Sequence, residues 1–384
     1  MTKLALTLET VSPMFLGGAQ QEAELRAASI RGALRYWLRA ALGGVIGDKK
    51  LDVLGDLESN VFCNTEHGSA TVVRVLDHPF GVNVPELAQQ GIGYLWFSMK
   101  GRGAGDRQAI PAGTPFRLVM QQRGNNDLPV RHAAEALWLL TQVGSLGARS
   151  RRGAGSLRVK EIGEDWPDNV PTPIIQARSP IELQAELARG LQQIRQSVSS
   201  WVGSTPPTSL VKAEFDLIHP DACEVCVLDR PFDRWQDALE AVGMAMQAFR
   251  LRFPRGDYPG VPDDYANVKA ALQGGDLNQP IQRAAFGLPI VFYFTSLQGE
   301  RDTLEGDNHD RRSSPLIIRV TQLANGQFAV VLTVFYAKLL PDGERLKLKK
   351  SRAKVRVPDD WSAMELFLDD LDDSVAPLLE VNYG

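Results

Sequence analysis

Leu4, Leu6 and Leu8 alternate with Lys3, Ala5 and Thr7, a period of two that predicts a strand with one buried face. The spacing then changes. Ile30, Ala33, Leu34, Trp37, Leu38 and Ala41 share one side of a helix expected over about Ile30–Leu42. Ser29 is its expected N-cap, and Gly43-Gly44 its expected stop. Strand-like runs follow at Thr71–Leu76, Tyr94–Met99 and Phe116–Met120. A second helix is expected from about Arg131 to Val143, closed by Gly144, and then a strand at Leu157–Ile162. Setting one hairpin strand aside, the order is β-α-β-β-α-β, the ferredoxin-like order. An α+β class is favoured over a doubly wound sheet.

A proline-rich stretch from Trp166 to Pro180 reads as a boundary. Ser179-Pro180 then opens a linker helix over about 180–201, cap first and proline at the first helical position. Its apolar face is Leu183, Leu187, Leu191, Ile194, Val198 and Trp201. The second half repeats the theme. It has an expected strand at about Leu210–Ile218 and a helix at about Trp235–Arg250. Strands are expected at Leu288–Phe294, Leu316–Val320 and Phe328–Tyr336, and a helix near Trp361–Leu371. Residues Gly256–Arg283 and Ser296–Ser313 read as long loops. The expectation is two ferredoxin-like (RRM-like) domains packed in tandem with inserted loops, 1–163 and 164–384, the second carrying the linker helix.

With 44% hydrophobic residues in 384, a sizeable core can form. No run reaches the ~18 apolar residues of a membrane helix, and the N-terminus lacks a signal-peptide pattern, so the expected location is cytoplasmic. Three cysteines argue against a disulfide scaffold. Cys223 and Cys226, with His219 nearby, lack the fourth ligand of a zinc site and sit on a strand-like run that turns them to opposite sides. Two ordinary thiols are expected there, and neither metal nor cofactor. The net charge of −4 hides segregation: Arg311–Arg356 is basic, and no Lys or Arg follows Arg356, only acidic residues.

Three basic elements are candidates for a polyanion. Arg31, Arg35 and Arg39 recur every four residues along the first helix, with Arg31 in the first turn where a cation opposes the helix dipole. A phosphate there would meet free N–H groups and guanidinium together; the alternative is pairing with acidic residues such as Glu22 and Glu24. Between Gly144 and Leu157, Gly147, Gly153 and Gly155 alternate with Arg149, Arg151 and Arg152, with no acidic residue among them. Glycines let backbone N–H groups approach a phosphate chain, and guanidiniums bind phosphates or stack on bases; the alternative is a flexible surface loop. Along Arg345–Val357, charges alternate with apolar residues, and the phase shifts at Lys349-Lys350, which predicts a bulge or break. This strand is either basic on one face for RNA or a lysine-protected edge. None of the five histidines lies in a catalytic motif.

Pro13–Gly18 followed by Glu24-Leu25-Arg26 and Ser29–Trp37 resembles the N-terminal signature of the RAMP superfamily of CRISPR proteins, most similar to the first RAMP subunit of the type III-B (Cmr) effector. Gly144–Leu157 resembles that family's glycine- and arginine-rich loop, and Phe286–Ile290 and Arg311–Leu316 resemble its C-terminal half. The resemblance implies a noncatalytic subunit near the 3′ portion of the CRISPR RNA that helps to capture target RNA. Its partners would be CRISPR RNA, target RNA and other Cmr-complex subunits. It implies RNA contact by the arginines and glycines named above; Arg311 and Arg312 join them as candidates. A metal-independent CRISPR-RNA-processing endoribonuclease on the same fold, or a pure scaffold, are the rival readings.

Overall fold

The computed structural model describes residues 2–18, 22–63, 68–101, 107–252, 263–358 and 361–384. The N-terminal alternation becomes β1 (Lys3–Thr10), with Leu4, Leu6 and Leu8 buried. There follow α1 (Ala27–Ile46), α2 (Leu51–Phe62), β2 (Thr71–Val75), α3 (Gln90–Leu95), β3 (Pro115–Gln122), α4 (Leu128–Gln142) and β4 (Leu157–Ile162). The strands lie in the order β2-β3-β1-β4, every pair antiparallel. This is the ferredoxin-like arrangement, with α1 and α4 as its two crossover helices.

The second half repeats it. After the linker helix α5 (Pro180–Val202) come β5 (Cys223–Leu228), α6 (Trp235–Arg252), α7 (Asp264–Leu272), β6 (Ile290–Phe294), β7 (Glu300–Gly306) and β8 (Leu316–Gln322). The chain ends with β9 (Phe328–Phe335), β10 (Arg345–Leu348), β11 (Lys354–Arg356), α8 (Ser362–Ser374) and β12 (Leu378–Glu380). The order β12-β5-β9-β8 is the same antiparallel pattern, with α6 and α8 as crossovers. Two insertions, one between α6 and β8 and one between β9 and α8, pair with each other as a separate sheet, β11-β10-β7-β6. The α+β class and the ferredoxin-like order are thus both present.

The layers explain the alternation in β5. Cys223, Val225 and Val227 join a core shared with α1, α4, α5 and the first sheet, whereas Cys226 and Leu228 join a second core under α6 and α8. The two cysteines do face opposite sides. The inserted sheet has its own core around Phe292, Phe294 and Leu304. Among the described residues no helix is long and apolar enough to cross a membrane.

Several expectations are corrected. Ser29 is not the cap of α1; Arg26 precedes the helix without a side-chain cap bond, and Ser29 lies inside the first turn. Gly43-Gly44 does not stop the helix, which runs on to Gly47, the residue with φ +84°. The glycines serve packing instead: a Cβ on Gly44 would lie 2.0 Å from the Ile218 carbonyl oxygen, and one on Gly43 2.3 Å from Leu217 Cδ2. Tyr94–Met99 is not a strand but the end of α3 and a short 3-10 turn. Gly91 and Gly243 let α3 meet α6 at close range, and the Glu240 carboxylate accepts from the N–H groups of Gly91 and Ile92, both at 2.9 Å. That tertiary contact overrides the local preference of an aromatic run for strand.

Leu210–Ile218 is likewise not a strand; of it only Ala213 bridges to Ala337, and Cys223–Leu228 takes the central place. The two expected loops hold structure, α7 and β7, while residues 256–262 of the first lie outside the described residues, as does His67. The phase shift at Lys349-Lys350 is a reversal of the chain between β10 and β11. The Asp302 carboxylate fixes it by accepting from Lys350 N (2.7 Å) and Ser351 N (3.0 Å).

Candidate nucleic-acid interface

The glycine- and arginine-rich loop folds tightly between the two sheets. Phe15 O accepts from Ala148 N at 2.7 Å, Pro13 O from Gly155 N at 2.9 Å, and Gly155 O from Leu146 N at 2.9 Å. Its glycines all have positive φ: Gly147 at +99°, Gly153 at +81° and Gly155 at +67°. A Cβ at Gly147 would lie 2.5 Å from Phe15 O, and one at Gly155 1.8 Å from Leu146 O. The close approach that these glycines permit is therefore to the protein's own backbone. The loop is not a flexible surface segment.

Its three arginines go to different places. Arg149, itself at φ +59°, donates from Nε to Ser98 Oγ at 2.8 Å. Arg152 is buried, with long contacts at 3.4 Å to the carbonyls of Arg151, Leu316 and Phe286. Burial, and then the neighbouring Arg250 and Arg149, lower its pKa to about 9. Arg152 is thus turned into the second core, away from any ligand in solvent.

Arg151 joins a four-way polar junction. Its guanidinium donates to Ser314 O (2.5 Å), to the Tyr36 hydroxyl (3.0 Å) and to Asp216 Oδ2 (2.7 Å). Tyr36 donates to the same Oδ2 at 2.9 Å, and Arg312 reaches Oδ1 at 2.9 Å. Burial alone would raise the Asp216 carboxyl, but Arg151 and then Arg312 outweigh it and hold it below its ordinary value. The junction ties α1, the glycine–arginine loop, the segment before β5 and the segment before β8 together.

The helical arginines also divide. Arg35 Nε (2.6 Å) and Arg39 Nε (2.8 Å) both donate to the carboxylate of Glu58 on α2, which is buried. They pair with an acidic residue, though not with Glu22 or Glu24. Arg31 and the exposed Arg311 form no ion pair among the described residues. Of the eleven candidate residues, Arg31, Arg149, Arg152 and Arg311 have no carboxylate partner among the described residues, and of these Arg152 is buried.

Beside the junction is a cavity of about 370 Å³ lined by Ser29, Tyr36, Gly147, Ser150, Arg151 and Ile317, among others. The N-terminal motif and the glycine–arginine loop therefore meet around one open space. The sequence reading missed Asp216, Glu58 and Arg319. Arg319 lies buried in β8, donates to Gly144 O (2.7 Å) and Leu157 O (2.6 Å), and so clasps both ends of the loop. Glu58 had a visible signal: it falls among Leu54, Val61 and Phe62 on one helix face, where a carboxylate needs a cation.

The model of the RAMP superfamily matches residues 7–158 of this chain. The chain is also similar to Cmr1 subunits. It is 35% identical over 150 residues to CRISPR system Cmr subunit Cmr1-1 of Pyrococcus furiosus, a match spanning 37% of this chain and 44% of that relative's length. The crystal structure of Cmr1 from Pyrococcus furiosus in its apo form superposes with a TM-score of 0.64 at 21% identity, covering 100% of this chain and 99% of that one. A chain of the type III-B Cmr-beta complex bound to cognate target RNA superposes with a TM-score of 0.53 at 12% identity, covering 97% and 99%. The structural likenesses show a common fold over the whole chain.

Proposed function

We propose that this chain is a noncatalytic, RNA-binding subunit of a type III-B CRISPR effector complex, placed near the 3′ portion of the CRISPR RNA and aiding target RNA capture. The observation that carries the reading is the meeting of the Ser29–Trp37 motif and the Ser145–Arg151 loop around one cavity. Arg31, Arg149 and Arg311 would supply phosphate contacts; Arg151, Arg312 and the glycines would hold the surface in shape. The solved Cmr-beta complex with a chain of this fold is bound to cognate target RNA, which supports the choice of ligand. The noncatalytic part draws support from Asp216. This carboxylate, bonded to the cavity-lining Tyr36 and Arg151, is held by two guanidiniums below its ordinary range, which makes it a weak base.

The test is assembly and capture measured together. The Arg31→Glu/Arg311→Glu chain, co-expressed with the other subunits of its complex and CRISPR RNA, is expected to assemble normally and to capture target RNA less well. Undiminished capture would favour a scaffold. Metal-independent cleavage of repeat RNA by the isolated chain would favour the endoribonuclease instead.

A further inference from the structure

A second cavity, of about 270 Å³, lies at the seam between α6 and the inserted sheet, away from the junction around Asp216. It is lined by Tyr94, Arg250, Tyr265, Arg283, Phe292 and Tyr293, with Gln247, Leu251 and Val291 at its margin. Arg250 and Arg283 make no ion pair among the described residues, and the Nε of each is buried without a hydrogen-bond partner. Both guanidiniums lie over rings, Arg283 5.1 Å from the Phe292 centroid and Arg250 5.5 Å from that of Phe286. The Asp264 carboxylate, which acts on Arg283, is already engaged: it accepts from Gln282 N at 3.0 Å and Arg283 N at 2.8 Å.

The charges here repel one another. Arg250 is the first like-charge neighbour of Arg149, Arg152 and Arg283, and burial followed by Arg250 lowers Arg283 to about 10. Half-buried guanidiniums that crowd one another, with no ion pair of their own, are costly unless an anion joins them. Aromatic rings stand on the same walls. Tyr293 and Val291 are 58% and 59% exposed on the edge strand β6, and Tyr265 packs against Phe294 with centroids 4.6 Å apart. Guanidiniums beside accessible tyrosine faces are the combination that binds a phosphate and a stacked base together. The volume is just below the roughly 300–1,000 Å³ of pockets for drug-sized ligands, which suits one nucleotide rather than a stretch of strand.

We infer that this cavity is a docking site for one unpaired RNA nucleotide, its phosphate on Arg250 and Arg283 and its base against Tyr265 or Tyr293. The inference rests on the RNA-binding reading for its choice of ligand, and on this cavity alone for its location. Penta-adenylate RNA, AMP and inorganic phosphate are titrated calorimetrically into the full-length chain and into Arg250→Gln, Tyr293→Ala and Tyr265→Ala. The expected result is binding of penta-adenylate that weakens about tenfold in Arg250→Gln and in at least one tyrosine variant, within the range for loss of one base stack. Thermal melting of each variant confirms folding; Tyr293, exposed on an edge strand, is the substitution least able to disturb it.

Three results would overturn the site: no binding of penta-adenylate to the wild-type chain, binding that none of the variants weakens, or binding of inorganic phosphate as tight as that of penta-adenylate. The two proposals separate cleanly. Loss of capture in Arg31→Glu/Arg311→Glu with no effect of the cavity variants sinks only the nucleotide site. The reverse pattern sinks only the role given to Arg31 and Arg311.

Discussion

Arg151 donates to Asp216 across 2.7 Å, joining the glycine–arginine loop to a segment 65 residues further along the chain. Arg312 takes the other carboxylate oxygen, so one acid balances two of the candidate arginines. Two of the arginines that most resemble an RNA-binding signature thus build a platform, and under the proposed function other cations nearby would do the contacting.

The platform has a pH dependence whose sign is fixed. Asp216 has its folded pKa depressed below the unfolded value of about 3.9, because Arg151 and Arg312 outweigh the effect of burial. Its contribution is present above about pH 4 and is lost as the pH falls through the folded value. Asp216→Asn leaves two largely buried guanidiniums without a counter-charge and is expected to cost about 3–5 kcal/mol at pH 7. Urea denaturation of wild type and variant at pH 7 and at pH 3 checks this. The gap between them should shrink at the lower pH; an equal gap would mean that the ion pairs contribute nothing.

Much of this was legible in the sequence, for reasons particular to each element. Ser179-Pro180 and the apolar spacing after it define α5, because cap chemistry and helical period are local properties. The ferredoxin-like order was legible for the same reason. What could not be read was decided by distant partners. Gly43-Gly44 looks like a helix stop until Ile218 is seen passing against it, and Tyr94–Met99 looks like a strand until Gly91 meets Gly243. The loop's glycines and arginines are legible as a group, but what each one does depends on Asp216, Phe15 O and Leu146 O, which no local pattern places beside them.

Two glycines should respond in opposite directions to the same change. Gly32 lies in the exposed interior of α1, and an added Cβ meets nothing within 4 Å. Gly32→Ala is expected to stabilise by about 0.5–1 kcal/mol through helix propensity and a less free unfolded chain. Gly155 sits at φ +67° with the Leu146 carbonyl oxygen 1.8 Å from where its Cβ would be. Gly155→Ala should cost at least about 2 kcal/mol from backbone strain and overpacking. Denaturant midpoints at constant m-value read both, and a neutral Gly155→Ala would show that the loop can open without loss.

Glu58 holds Arg35 and Arg39 at once, its side chain 3% exposed against 36% and 47% for theirs. Either single change to alanine leaves the carboxylate one partner and should cost about 1 kcal/mol or less, as for partly exposed pairs. The double variant strands a buried charge and should cost about 3–5 kcal/mol. A double-mutant cycle that instead came out additive would mean that the two arginines act independently of Glu58. Such independence would return them to the pool of cations free for a ligand.

The remaining cations carry the functional prediction. Arg31, Arg149 and Arg311 lack carboxylate partners, whereas Arg152 faces the second core. If the three touch phosphates of single-stranded RNA, neutralising each to glutamine should lower the log–log salt slope of RNA affinity by about 0.7. Stability should change little, because no ion pair is broken. Arg35→Gln should leave the slope unchanged, since its guanidinium remains turned to Glu58 in the folded chain. Filter binding across a salt series, on the assembled complex carrying each variant, gives the slopes directly. A slope that falls for Arg35→Gln and not for Arg31→Gln would reverse the assignment of structural and contacting arginines on α1.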